Sequence, residues 1–299
     1  MGAPAAEAGS AGHRPAESGV LEQAVPRGSG SRILAVANQK GGVGKTTSVI
    51  NLGAALAISG KRVLLMDMDP QANATSALGI QPMEGKATIY DVLLGDVRLL
   101  EAVVETETDN LKLIPSSPHF AGAEVELVAM DRREYLLRDQ LEPLRHQFDY
   151  VFLDCPPSLG LLTVNALAAA DGVIVPIQCE YLALEGLSHL LETLQAIRKN
   201  LNPRLRVEGL LLTMYDGRLT LSQQVAGEAR AYFGSRVYRT MIPRNVRLGE
   251  APSFGKPVVT YDRSCAGSLS YMNLAKEILD NESQGIGPWS EGSHSGDAD

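Results

Sequence analysis

Apolar positions along the chain follow two rhythms. Short unbroken apolar runs read as strands buried on both faces. They cover Ile33 to Ala37, Arg62 to Met66 (closed by Asp67), Leu111 to Ile114, Asp149 to Leu153 (closed by Asp154), Gly172 to Pro176, Val207 to Thr213 and Val237 to Ile242. Between them, helical spacing predicts helices over 45–59, 119–129, 132–145, 160–169, 181–199, 219–233 and 266–280. In 181–199, Leu184, Leu187, Leu191, Leu194 and Arg198 share one face, and Asn202-Pro203 ends the run. Buried strands separated by helices predict an α/β fold, a mostly parallel sheet covered by helices on both faces. No internal repeat interrupts it, so 32–280 reads as one domain. Residues 1–31 and 281–299 lose the rhythm. Rich in Ala, Gly, Ser, Pro and Glu, they predict disordered tails, the second one acidic, with Trp289 isolated and exposed.

Composition narrows the class. Apolar residues make up 44% of 299 and aromatics only 5%, so aliphatic side chains must fill the core. No apolar stretch reaches the length of a membrane span, and the N-terminus lacks the basic-then-apolar order of a signal peptide. Cys155, Cys179 and Cys265 show no CxxC spacing and cannot all pair within one chain, which suits a reduced cytosolic protein. The formal net charge of −8 argues against a surface coated for DNA, but it is uneven. From Arg204 to Arg263 there are ten Lys and Arg against five acids, so this segment is +5 and the remainder −13.

The chemistry concentrates after the first strand, in Gln39-Lys40-Gly41-Gly42-Val43-Gly44-Lys45-Thr46-Thr47. Strand, glycine-rich loop and helix together make a phosphate-binding loop. Gly41, Gly42 and Gly44 let successive N–H groups turn inward around an anion, and the helix beginning near Lys45 adds the positive end of its dipole. Lys45 supplies a charge to β- and γ-phosphates, and the Thr46 hydroxyl is placed for Mg²⁺. The pattern G-x-x-x-x-G-K-[ST] wants glycine where this chain has Gln39, and a second lysine, Lys40, stands at the loop mouth.

Ligands of open α/β sheets bind beyond the carboxyl ends of strands. Two strands end there in carboxylates: Asp67-Met68-Asp69-Pro70-Gln71 and Asp154-Cys155-Pro156-Pro157-Ser158. Asp154 is the better candidate to support a nucleotide-bound Mg²⁺, and Asp69 could orient a water toward a γ-phosphate.

The run Ala37 to Thr47 resembles the deviant Walker A loop of the ParA/Soj chromosome-partitioning ATPases. The resemblance extends through Asp67-x-Asp69-Pro70-Gln71-x-Asn73-Ala74-Thr75, Asp154-x-Pro156-Pro157-Ser158, Thr213-Met214-Tyr215-Asp216-x-Arg218 and Ile242-Pro243-Arg244-Asn245-Val246-Arg247, spanning about 32–280. It implies a P-loop NTPase-like fold and a slow ATPase using ATP and Mg²⁺. Lys40 resembles the lysine that reaches across an ATP-dependent homodimer to the partner's phosphates. Lys45 and Thr46 would hold phosphate and metal, Asp69 would position the attacking water, and Asp154 would support the metal from behind. Met214, Pro243 and Asn245 match positions packed around adenine. Arg218 and Arg247, with Lys256 as helper, match positions that contact non-specific double-stranded DNA. The resemblance also implies a ParB-type protein that stimulates hydrolysis and releases the dimer from nucleoid DNA.

Four other readings share the loop. A MinD-like ATPase would need an amphipathic basic C-terminal helix at a membrane, which the Gly285-Ile286-Gly287-Pro288-Trp289 end does not offer. An iron–sulfur carrier would need matched exposed cysteines, whereas Cys155 and Cys179 read as core residues. An ATP-dependent carboxylate ligase and a related ATPase positioning another cargo complete the set.

Overall fold

Alternation along the strands sorts the side chains into two cores, one on each face of a single sheet. The computed structural model describes residues 30–81, 86–180 and 185–284. Its strands are β1 (Arg32–Val36), β2 (Val63–Asp67), β3 (Val104–Glu105), β4 (Leu111–Ile114), β5 (Tyr150–Asp154), β6 (Gly172–Gln178) and β7 (Arg206–Thr213), in the spatial order β3-β4-β2-β5-β1-β6-β7. All neighbours are parallel except β3, an antiparallel edge strand on β4. Successive residues of a strand point to opposite faces. Thus Ile33, Leu64, Met66, Val151, Leu153, Val173 and Val175 enter one core, while Leu34, Val36, Val63, Leu65, Phe152 and Ile174 enter the other.

Helices close both faces. The second core is covered by α1 (Lys45–Ile58), by the short α2 (Asn73–Ala77), and, further along the chain, by the C-terminal pair described below. The first core lies under α3 (Ile89–Leu94), α4 (Ala123–Leu127), α5 (Leu136–Leu141), α6 (Leu161–Ala169), α7 (Glu185–Asn200) and α8 (Thr220–Phe233). After α8 come α9 (Val246–Glu250), α10 (Val258–Tyr261) and α11 (Ala266–Ser283). Helix α11 lies along α1, where Ser48 Oγ and Tyr271 Oη share a buried hydrogen bond of 3.1 Å. The α1 residue Asn51 accepts the backbone N–H of Val258 at 2.6 Å, which ties in α10.

Several elements differ from the sequence expectation. The run Val237 to Ile242 is not a strand. It meets β7 at an isolated Leu210–Val237 bridge and again through the Ile242 N–H, and between these points the Glu277 carboxylate takes the N–H groups of Arg239 and Thr240 out of any ladder. The helix expected over 119–129 is a 3₁₀ turn from Pro118 to Gly122 followed by α4. The one expected over 132–145 shrinks to α5, since Arg132 sits at φ 55° and Pro143 lies in a tighter 3₁₀ turn over Glu142–Leu144. Helix α7 begins at Glu185, and Leu184 falls outside the described residues, as does Trp289.

The fold also passes both limits set by composition. Ser31 is buried, with its hydroxyl donating to the Arg145 and Phe148 carbonyls. Helix α11 continues to Ser283, where Glu282 accepts from Tyr150 Oη and pairs with Arg32. The remaining tail residues lie outside those described. Among the described residues no helix is long and apolar enough to cross a membrane.

Candidate functional site

The loop from Ala37 to Gly44 leaves the carboxyl end of β1, at the middle of the sheet, and is braced from both sides. Asn38 Nδ2 donates to the Pro176 carbonyl at 2.7 Å, and Asn38 Oδ1 accepts the Lys40 N–H at 3.0 Å. Thr213, the last residue of β7, donates its hydroxyl to the Val43 carbonyl at 2.9 Å. Gly42 and Gly44 adopt φ of 74° and 87°, the left-handed region that only glycine enters without cost. Gly44 precedes α1 with no side-chain cap, so the first-turn N–H groups of the helix remain open to an anion.

The two lysines differ sharply. Lys45 is 7% exposed, and its ammonium donates to the Lys40 carbonyl at 3.3 Å. Burial lowers its pKa, opposed by the charges of Asp154, Cys155 and Asp69. Lys40 is exposed, and among the described residues its ammonium has no carboxylate within ion-pair distance. Thr46 and Thr47 are half-buried at the start of α1.

The two strand-end aspartates, Asp67 and Asp154, stand opposite each other in register, and both are fully buried. Asp67 is satisfied. Its Oδ2 accepts from the Thr75 N–H (2.8 Å) and hydroxyl (2.7 Å), and its Oδ1 from the Asp69 N–H (3.2 Å). Burial raises its pKa to about 6 despite these bonds. Among the described residues neither Asp154 oxygen is held by a well-formed hydrogen bond, the Thr46 hydroxyl being the nearest donor. Its carboxyl is pushed well above the usual range, first by burial, then by Asp67 and Asp69, with the Thr46 side chain and Lys45 pulling the other way. An orphaned buried carboxylate beside a hydroxyl suits a hydrated divalent cation, which would bring its own waters and take further oxygens from a nucleotide. The described residues hold no cluster of His, Cys, Asp or Glu able to cage a metal alone. Asp69 is 8% exposed. Its Oδ1 accepts the Gln71 N–H at 2.9 Å, and its Oδ2 makes no bond to the described residues.

On the other flank, Met214 follows β7 with φ 50°, an unusual conformation for a residue with a side chain. The Tyr215 N–H donates to the Ile242 carbonyl and the Arg244 N–H to the Tyr215 carbonyl, so Pro243 pairs with Tyr215, the residue after Met214. Asn245 follows and caps α9 through the Arg247 N–H at 3.0 Å. The three basic candidates are exposed but not bare. Arg218 grips Asp216 with two nitrogens and holds that carboxyl down at about 2. Arg247 pairs with Glu250 and Asp262, and Lys256 with Glu107. Solvent screens exposed pairs of this kind, so phosphates can displace the acids. Cys155 and Cys179 are buried among core residues, as their apolar setting suggested.

Sequence reasoning missed Asn38, Thr213 and the bracing role of Asp67. Only a strand-end position marks them, and their partners lie 138, 170 and 8 residues away.

Residues 31–207 match a family model described as an AAA domain. The chain is 55% identical over 253 residues to the chromosome partitioning protein ParA of Caulobacter vibrioides, covering 84% of this chain and 95% of that one. It is 53% identical over 250 residues to the sporulation initiation inhibitor protein Soj of Bacillus subtilis, covering 84% and 99%. Among solved structures it resembles cobyrinic acid a,c-diamide synthase from Mycobacterium smegmatis with bound ATP analogue and magnesium. There the TM-score is 0.76 at 40% identity, over 86% of this chain and 98% of that one.

Proposed function

Because the chain belongs to the ParA/Soj family of chromosome-partitioning ATPases, we propose that it dimerises on ATP, binds nucleoid DNA without sequence preference, and is released when a ParB-type partner stimulates hydrolysis. It is an ATP hydrolase, with ATP as substrate and Mg²⁺ as cofactor. Dimerisation, DNA, partner and a cytoplasmic, nucleoid-associated location are the steps we add.

The chain's residues divide the work. The open N–H groups of the loop and the Lys45 ammonium hold the β- and γ-phosphates, charge meeting charge in a partly buried pocket. Thr46 and, behind it, Asp154 hold Mg²⁺, which when bound neutralises charge on the phosphate oxygens. The free Oδ2 of Asp69 orients water for in-line attack. Met214, Pro243 and Asn245 pack against adenine. The reading leans most on the contrast between a buried Lys45 and an exposed Lys40 that has no carboxylate partner among the described residues. The pocket has one lysine of its own, and the second is free to serve a neighbour, as an arginine finger does.

The test is ATPase activity with and without DNA and a candidate partner. Asp69→Ala should still bind ATP and DNA but lose about a hundredfold or more in turnover, the usual scale for an acid–base group, and so remain on DNA. The likeness to a diamide synthase favours a second reading, ATP-dependent amidation. Turnover stimulated by a small carboxylate and an amine donor, with neither DNA nor partner needed, would favour that reading instead.

DNA binding should be electrostatic. Affinity should fall steeply with salt, and Arg247→Ala should weaken binding to all sequences alike, lowering the salt slope by about one. A sequence-specific footprint would contradict this.

A further inference from the structure

The segment from Val237 to Asn245 carries two of the three residues assigned above to adenine, yet it forms neither strand nor helix. Its outer contacts follow β7: Tyr238 N–H to the Leu210 carbonyl (3.0 Å) and Ile242 N–H to the Leu212 carbonyl (2.9 Å). Between these anchors, two successive N–H groups turn the other way. Arg239 N–H donates to Glu277 Oε1 at 2.8 Å, and Thr240 N–H to Oε2 at 2.9 Å. Glu277 is 7% exposed on α11, and both its oxygens are spent on this backbone. The Arg239 side chain also approaches Oε1, at 3.5 Å, but is mostly in solvent.

A buried carboxylate placed on two adjacent N–H groups is a specific device. Fastening α11 does not require it, because Tyr271, Leu274, Ala275 and Ile278 already bury that helix and Tyr271 reaches α1. What the device does fix is the height of the segment against β7. One residue past the second anchor comes Pro243, paired with Tyr215 next to Met214, and two residues later Asn245. We propose that Glu277 is a positioning residue for base recognition: it holds Pro243 and Asn245 at the level where a purine base stacks, and so sets the preference for adenine. This rests on the assignment of Met214, Pro243 and Asn245 to the base.

The phosphate end of the pocket is built by other elements, so a base-specific readout separates positioning from general stability. Binding of Mg²⁺–ATP, Mg²⁺–GTP and Mg²⁺–tripolyphosphate, which lacks a base, would be measured for the parent, Glu277→Gln and Glu277→Ala. Glu277→Gln keeps the shape but presents an NH₂ to one of the two donors, and it remains usable if Glu277→Ala does not fold. The expected result is a roughly tenfold loss for ATP, the scale of one lost charge-assisted hydrogen bond. The ATP-to-GTP ratio should shrink, and tripolyphosphate affinity should stay unchanged. Arg239→Ala, which leaves both backbone bonds in place, should match the parent. An equal loss for all three ligands, or no loss for any, overturns the proposal. If Asn245→Ala and Pro243→Gly also leave the ATP-to-tripolyphosphate ratio untouched, the assignment of the base pocket has failed, and the proposal with it.

Discussion

Lys40→Ala protein should bind one ATP per chain and stay monomeric, and its turnover with DNA and partner should fall about a thousandfold, the low end of what a charge supplied in trans contributes. The substitution is clean. Both loop hydrogen bonds made by residue 40 use its backbone, the N–H to Asn38 and the carbonyl to Lys45, so alanine leaves the phosphate loop standing. What disappears is an exposed ammonium with no acidic neighbour among the described residues. Sedimentation with a slowly hydrolysed ATP analogue checks the dimer, and phosphate release checks the turnover. A variant that dimerises and turns over normally would remove the basis for a shared pocket.

Asp154→Asn should make the nucleotide-free protein more stable at pH 8 while lowering Mg²⁺-dependent hydrolysis about a hundredfold. The sign follows from the pair of facing aspartates. A carboxyl whose folded pKa is raised keeps a proton that the unfolded chain would release. Its stabilising contribution is therefore full below the ordinary carboxylate range and is lost as pH rises through the folded value. For Asp67 that value is about 6, and Asp154 is shifted in the same direction. Ionising Asp154 leaves a buried charge with no well-formed hydrogen bond among the described residues, which costs on the order of 1–3 kcal/mol or more. Stability should fall from pH 5 to pH 8 in the parent and fall less in Asp154→Asn, which keeps only the Asp67 contribution, and Mg²⁺–ATP should restore the parent at pH 8 through binding linkage. The activity loss matches what removing a ligand-orienting partner behind a metal usually costs, about 10–100-fold. A parallel pH response in both proteins would show that Asp154 carries no such cost.

Much of this architecture can be read from residues alone. Ile33 to Val36 and Val63 to Met66 contain nothing but aliphatic side chains, and such runs fit only a doubly covered sheet. The phosphate loop is equally plain, since three glycines and a lysine in register serve few other ends. What escaped notice depends on distant partners. Val237 to Ile242 has strand composition, but Glu277, about forty residues on, takes two of its N–H groups. Strand β3 is two residues long, too short for any period to show, and α2, α9 and α10 are only four or five. Of the site, Lys45, Thr46, Asp69 and Asp154 were identified by their positions at strand ends and loop. The braces Asn38 and Thr213 were not, because nothing in their local sequence names the carbonyl each one reaches. The acids that neutralise Arg218, Arg247 and Lys256 were counted in the charge balance without being matched to them.

Arg32, at the first position of β1, is clasped by Glu282 near the end of α11. The described part of the chain therefore begins and ends at neighbouring points, one strand length, about 17 Å, from the glycine loop and on the opposite rim of the sheet. Donor and acceptor fluorophores attached at Gly30 and Gln284 would sit on that rim and report on each other within a single chain, away from the phosphate loop.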